Sequence, residues 1–345
     1  MSHAPDAPVD PGHWIAVHLF HQGDLDALLL DAVVPAVTDL ARSGRAHGHF
    51  FLRYWEGGPH LRVRVRAADP PGDASRRTER ELVERWNDWL ERHPSPRAVD
   101  EDAYLRFATE SAAREGLPAY EPWRGLHDCA QPRTYRPEHA RYGSGASLDA
   151  VERHFMAASR CAGTLLAGRP GPAERLSAGF AVLLLAWTVV EPDADRRLAC
   201  LRAGAEAWRR MLGPDYDTEG FDRAYERSRT ALVRRAGQLL DAGPTLRPDG
   251  AEGPLGSWHR SVSRLHGELE VLERDGEFAP ALDALRDDPS LLSLPGPRTA
   301  LTVNRCAHLM CNRLGLYGPQ EALLRHFAAR ACGDLSGAGA GARRR

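Results

Sequence analysis

Residues 60–66 read His-Leu-Arg-Val-Arg-Val-Arg, and no other stretch constrains the fold so tightly. Side chains on a β-strand alternate between its two faces. Leu61, Val63 and Val65 therefore share one face, and His60, Arg62, Arg64 and Arg66 share the other. The apolar face requires a core beneath it. The opposite face sets cations side by side, which repel each other and need water, acidic neighbours or a bound anion. Guanidinium binds carboxylate as a bidentate fork, so the row is a candidate anion pocket. A solvated face paired with Asp or Glu from a neighbouring strand is the alternative.

The flanking segments give this strand its partners. Phe50 to Trp55 (FFLRYW) is a second, aromatic-rich strand, and Gly57-Gly58-Pro59 is a tight connection, so the two strands are predicted to form a hairpin. Trp14 to Phe20 (WIAVHLF) is a third candidate strand. Between them, apolar residues recur at helical spacing from Asp24 to Leu40, with a kink expected at Pro35. A charged amphipathic helix is predicted over 76–93. Residues 114–145 are rich in Pro and Gly and read as a long ordered loop. Further on, helices are predicted at 147–168, 172–190, 195–212, 219–241, 257–273, 297–316 and 319–331, with breaks at 244–254 and 287–297. The expected fold class is α+β, a small antiparallel sheet packed beside a large helical body. Residues 13–333 are expected to form one domain between loose tails at 1–12 and 334–345.

Composition narrows the chemistry. All 45 basic residues among Lys and Arg are Arg. Without Lys there is no Schiff-base amine and no phosphate-loop lysine. A formal net charge of −2 supplies no bulk attraction for nucleic acid or anionic lipid. The six Cys form no CxxC pair and no signal peptide opens the chain, so a cytoplasmic protein with reduced thiols is expected. The longest apolar stretch, Ala178 to Val190, is read as too short to span a bilayer. His18 with His21, and His47 with His49, lack further ligands, so no metal is expected. No GxGxxG, HExxH or GxSxG motif occurs.

Two further constellations are candidates for function. On the predicted helix 297–316, Arg305, His308 and Asn312 fall on one stripe at i, i+3 and i+7. Histidine is the side-chain type suited to proton transfer near neutral pH, which makes His308 a candidate; Asn312 is expected to orient it and Arg305 to oppose its protonation. The alternative is a packed or solvated histidine. The segment Tyr135 to Gly143 (YRPEHARYG) brings Glu138, Arg141 and Tyr142 into a loop before the helix that carries Glu152. It reads either as a functional loop or as a salt-bridged cap.

Taken together and in order, these segments resemble the C-terminal, elimination-type domain of class I lantibiotic dehydratases, a family that includes stand-alone thiopeptide biosynthesis proteins. The matching residues are Trp14; FFLRY at 50–54; HLRVR at 60–64; Tyr135, Glu138 and RYGS at 141–144; Glu152, Phe155 and Ser159; and HLMCNRL at 308–314. The chain departs from the family pattern at Ser144, Met156, Ala158 and Leu309, and residues 114–134 match no family pattern.

The resemblance implies two activities on this fold, neither needing a cofactor. An eliminase expels glutamate from a glutamylated Ser or Thr and leaves a dehydroamino acid. A pyridine synthase joins two dehydroalanines in a formal aza-[4+2] cycloaddition and releases water and the leader peptide. A catalytically inert leader-binding subunit is the third option. The eliminase pocket of the family maps to Arg62, Arg64, Arg141 and His308, and their retention argues for the eliminase. The expected catalytic set is His308, Arg64, Arg141 and Tyr142, and the expected substrate-binding set is His60, Arg62, Arg66, Glu138, Glu152, Arg305 and Asn312. With no glutamylating segment in the sequence, a split enzyme is expected, and the departures from the pattern favour the pyridine synthase. The expected partner is a ribosomal precursor peptide with its leader, alongside other maturation enzymes of the same pathway; a homodimer is left open.

Overall fold

The computed structural model describes residues 13–96, 100–115, 117, 119–121, 127–213, 219–242, 253–280 and 289–342. The tail at 1–12 and most of the break at 244–254 lie outside the described residues. The chain divides into two compact units, Met1–Pro137 and Glu138–Arg345, where the sequence reading took 13–333 as one domain. The α+β class holds, with the sheet in the first unit and a helical body in the second.

In the first unit, strands β1 (Trp14–Phe20), β2 (Ala46–Tyr54), β3 (His60–Ala67) and β4 (Cys129–Arg133) form an antiparallel sheet in the order β2-β3-β1-β4. The predicted β2–β3 hairpin is present, and β3 is a central strand. Its apolar face continues across the sheet through Ile15, Val17, Leu19 and Phe51, all buried. The helices of this unit close that core: α1 (Leu25–Ala27), a π-helical turn Leu28–Val33, α2 (Val34–Arg42) and α3 (Asp73–Arg92). The expected kink at Pro35 takes the form of this π turn. Proline has no N–H and its ring clashes with the carbonyl four residues back. The helix widens just ahead of it, where the Val34 N–H reaches Leu29. Helix α4 (Glu101–Glu115), not anticipated in the sequence, builds a small second core from Tyr104, Ala108 and Ala112 on Trp55.

Strand β4 is a correction, because it lies inside the segment expected to be a loop. It pairs only with β1, as an edge strand, and this is the place where a sheet tolerates a residue such as Pro132 that lacks an N–H.

The second unit contains α5 (His139–Tyr142), α6 (Ala146–Ala167), α7 (Pro172–Val190), α8 (Ala194–Leu212), α9 (Glu219–Ala242), α10 (Gly253–Arg274), a 3-10 turn Pro289–Ser293, α11 (Pro297–Arg313) and α12 (Gly318–Ala342). Helix α7 is its centre, and α9, α10, α11 and α12 pack around it. Gly179 to Trp187 are buried without interruption. Counted from Pro172, α7 is long and apolar enough to cross a membrane by length and composition, unlike the shorter stretch counted in the sequence. Half of that span is buried against neighbouring helices.

Helix α12 also corrects the reading, since it runs to Ala342 where a loose tail was expected. Partners on α9 extend it: Asp334 accepts hydrogen bonds from Tyr225 and Arg229 at 2.7 Å each, and Leu335 lies over Gly237.

Candidate functional site

The polar face of β3 gathers four of the predicted residues. Register sets His18 of β1 opposite Arg62, Ala16 opposite Arg64 and Trp14 opposite Arg66, while Phe50 of β2 flanks Arg64 from the other side. Each guanidinium receives a different neighbour. Arg62 donates to Glu56 at 3.0 Å and lies 3.3 Å above the Tyr54 ring centroid. Arg66 is buried 6.0 Å from the Trp14 ring. Arg64 is only 9% exposed and has no carboxylate partner among the described residues. It donates to the Val63 carbonyl at 3.0 Å and to His18 Nε2 at 3.1 Å, with the Tyr135 ring 5.8 Å away. Burial, and then the charge of Arg62, lower its pKa to about 10. The guanidinium is still charged at neutral pH.

The surroundings lower the dielectric. Trp14, Phe50 and Tyr135 pack edge to face, and His18 stacks on His60 at 4.8 Å. Burial pushes His60 down to about 3, and the charges of Arg62 and Arg64 oppose its protonation as well. His18 is pushed far down by burial and by His60 and the same arginines. Both rings are therefore neutral. His60 donates from Nδ1 to the Gly58 carbonyl at 2.8 Å, and His18 offers Nε2 to Arg64 as an acceptor. The face is thus intermediate between the two expectations: an acidic neighbour satisfies Arg62, and Arg64 has a backbone carbonyl and a neutral histidine as partners.

In the second unit, Tyr142 and Arg305 are coupled electrostatically with Glu138 and Arg141. Arg141 and Glu138 form an exposed ion pair at 3.0 Å. Tyr142 is buried, edge-on to Phe155 at 5.4 Å, and burial raises its pKa, so the phenol can donate a hydrogen bond but is a poor base. Arg305 is lowered by burial and keeps one buried nitrogen, Nη1, without a hydrogen-bond partner. The glycine of the RYG motif has a direct cause. Gly143 has φ +74°, and a Cβ there would sit 2.4 Å from Ser147 Oγ. Ser147 Oγ in turn donates to the Tyr142 carbonyl at 3.0 Å.

His308 has a partner that the sequence reading missed. Its Nδ1 lies 2.7 Å from Glu321 Oε2 on α12, so Glu321 holds the ring in place of the expected Asn312. The helical stripe considered only neighbours on α11, whereas the turn through Gly315 (φ +75°) folds α12 back beside it. Glu321 is 1% exposed and also accepts from Arg325 Nε and Nη2 at 3.1 and 2.8 Å. Arg325 donates onward to Asn304 at 2.9 Å and lies 4.9 Å from the Trp208 ring, which is 5.4 Å from His308. Asn312 is half-buried on the same helix.

Glu152 is buried on α6, together with Phe155 and Ser159 of the same motif. Ser159 Oγ accepts from Arg313 Nε at 3.0 Å. Arg313, the arginine of the NRL segment, is fully buried and lowered to about 10 by that burial. These motif residues therefore tie α6 to α11 and form part of the interior of the second unit. Among the described residues, no cluster of His, Cys, Asp and Glu could hold a metal ion.

A model of the lantibiotic biosynthesis dehydratase C-terminal family matches residues 14–332. Among solved structures, the chain is similar to the pyridine synthase TbtD from thiomuracin biosynthesis, at 22% identity and TM-score 0.75, covering 94% of this chain and 99% of that one. It is similar to TsrL at 18% identity and TM-score 0.65, covering 93% and 94%. It also resembles the tRNA-dependent lantibiotic dehydratase MibB from Microbispora sp. 107891, at 21% identity and TM-score 0.54 over 99% of this chain but only 29% of that one. No curated protein matches the chain.

Proposed function

Because this chain belongs to the lantibiotic biosynthesis dehydratase C-terminal family, we propose that it is a thiopeptide maturation enzyme, a pyridine synthase acting on a dehydrated precursor peptide. The observation that supports this reading best is the fold match: the TM-score is 0.75 to the pyridine synthase TbtD and 0.54 to the lantibiotic dehydratase MibB. In the reaction, an amide proton moves to its carbonyl oxygen to give a 2-azadiene, and the two dehydroalanines then join through two new C–C bonds, the ring nitrogen being the amide nitrogen already bonded to both its carbons. Water and the leader peptide, released as a carboxamide, then leave and the ring becomes aromatic. Both stages move protons between oxygen, nitrogen and carbon, work suited to an imidazole acting as general acid and base. His308 is the residue assigned to it. Arg64 holds an anionic or strongly polarised oxygen of the bound peptide, and no cofactor enters the scheme.

The eliminase is the second reading, and Arg64 supports it, since a buried cation without a carboxylate also suits the glutamate to be expelled. The partners of the other two arginines count against it. Arg62 is neutralised by Glu56 and Arg141 by Glu138, which leaves fewer free cations for a second carboxylate.

Mass spectrometry separates the readings. Incubation with a dehydrated, azole-containing precursor is expected to yield the pyridine product and a leader carboxamide. Glutamate loss from a glutamylated precursor marks the eliminase instead. Binding without any mass change in either substrate marks a leader-binding subunit.

A further inference from the structure

Glu321 is a buried carboxylate on α12, 1% exposed, one turn before the buried Arg325. Taking an ionised side chain out of water is costly unless partners offset it. Here the partners are specific: two hydrogen bonds from Arg325 on one oxygen and His308 Nδ1 on the other. Arg325 is itself buried and braced by Asn304. This chain of contacts runs from α11 through α12 and back to α11, and it ends on a ring whose side chain is 45% exposed. Among the described residues, His308 Nε2 has no protein partner, whereas Nδ1 is committed.

We propose that Glu321, clamped by Arg325, is a positioning residue that fixes His308 with its proton on Nδ1 and leaves Nε2 as the nitrogen that exchanges protons with the peptide. The proposal rests on the reading of His308 as the proton-transfer group. A carboxylate only accepts hydrogen bonds, so at 2.7 Å from Nδ1 it selects the Nδ1–H tautomer of the neutral ring. It also stabilises the imidazolium formed when Nε2 takes a proton. The groups facing the pair are Arg325 from α12, Asn304 and Cys311 from α11, and Trp208 from α8. Burial alone would raise the Glu321 carboxyl, but His308 and Arg325 outweigh burial and hold it below the usual carboxylate range. Arg325 carries its charge whether the ring is neutral or protonated, so its two hydrogen bonds favour the ionised carboxylate in both states.

The test reads the tautomer directly. Nitrogen-15 spectra of ring-labelled protein, with His308 assigned by its loss in His308→Asn, are expected to show Nδ1–H in the wild type at alkaline pH. Glu321→Gln can place an amide N–H against Nδ1 and is expected to move the proton to Nε2. Conversion of precursor should then slow about 100-fold or more in kcat, with KM little changed. An Nε2–H tautomer in the wild type overturns the proposal, and this measurement needs no variant. An unchanged kcat in a folded Glu321→Gln protein overturns it as well. The double variant Glu321→Gln/Arg325→Gln removes both charges together; the same tautomer change in this variant shows that loss of the carboxylate, and not an unpaired arginine, is the cause. If the Nδ1–H tautomer is found but the wild type converts no precursor, the positioning role is supported and the proposed reaction is what fails.

Discussion

Arg64 separates stability from function at the scale of one residue. A buried charge is usually retained with a carboxylate partner, and removing one member of such a pair costs stability. Arg64 has a backbone carbonyl and a neutral histidine instead, and Arg62 beside it. Arg64→Ala should therefore leave the melting temperature unchanged or slightly raised. One lost charge-assisted contact to substrate is worth ~1.5–3 kcal/mol, so turnover should fall roughly tenfold or more. Wild-type turnover in that variant would remove Arg64 from the site. His308 makes the complementary case. His308→Ala should lower single-turnover conversion by about 10²–10⁴ with precursor binding nearly intact. A packing role predicts the reverse, a lower melting temperature with activity per folded molecule preserved, so measuring both on one variant decides between them.

Elements differed in how plainly the sequence announced them. Period-two alternation marked β3, a short apolar run marked β1, and helical spacing placed α6 to α11 within a few residues. Strand β4 (Cys-Ala-Gln-Pro-Arg) has no alternation of its own and borrows its geometry from β1. The site shows the same division. The arginine row was legible because one strand carries it, but Glu321 acts on His308 from another helix, and no pattern within α11 encodes that contact. Glycines hold part of this tertiary information. Gly179 lies in the middle of α7, where an alanine would otherwise favour the helix by about 1 kcal/mol. A Cβ there would come within 2.6 Å of both Leu316 and Leu324, so the glycine lets the segment after α11 and helix α12 close on α7. Gly179→Val should cost ~1–3 kcal/mol through overpacking. That corresponds to a fall of several degrees in melting temperature. An unchanged melting temperature would show that the two leucines can move aside freely.

For the whole molecule, buried histidines beside arginines have a consequence for acid stability. The guanidinium groups stay charged at neutral and acid pH, and several flank buried histidines. In the first unit, burial lowers His60 to about 3, with Arg62, Arg64 and Arg133 adding to the effect. In the second, burial and then Arg313 lower His154 to about 3, while Ser261 bonds its Nδ1 at 2.8 Å. The unfolded chain protonates these rings near 6.5, and the folded protein does not until near 3. Between those values the unfolded state binds more protons, so stability rises with pH and is lost as pH falls. Each ring contributes about 1.4 kcal/mol per pH unit below 6.5. At pH 5.5 each unit should therefore be weaker by about 1.4 kcal/mol from its own histidine than at neutral pH, before most carboxylates titrate. Thermal melts at pH 7.5 and 5.5 test this. The melting temperature should drop at the lower pH, and His60→Gln and His154→Gln should each flatten the dependence, even where they lower stability at pH 7.5. Equal melting temperatures at the two pH values would mean that these rings take up protons in the folded state, and that the arginines around them do not keep them neutral.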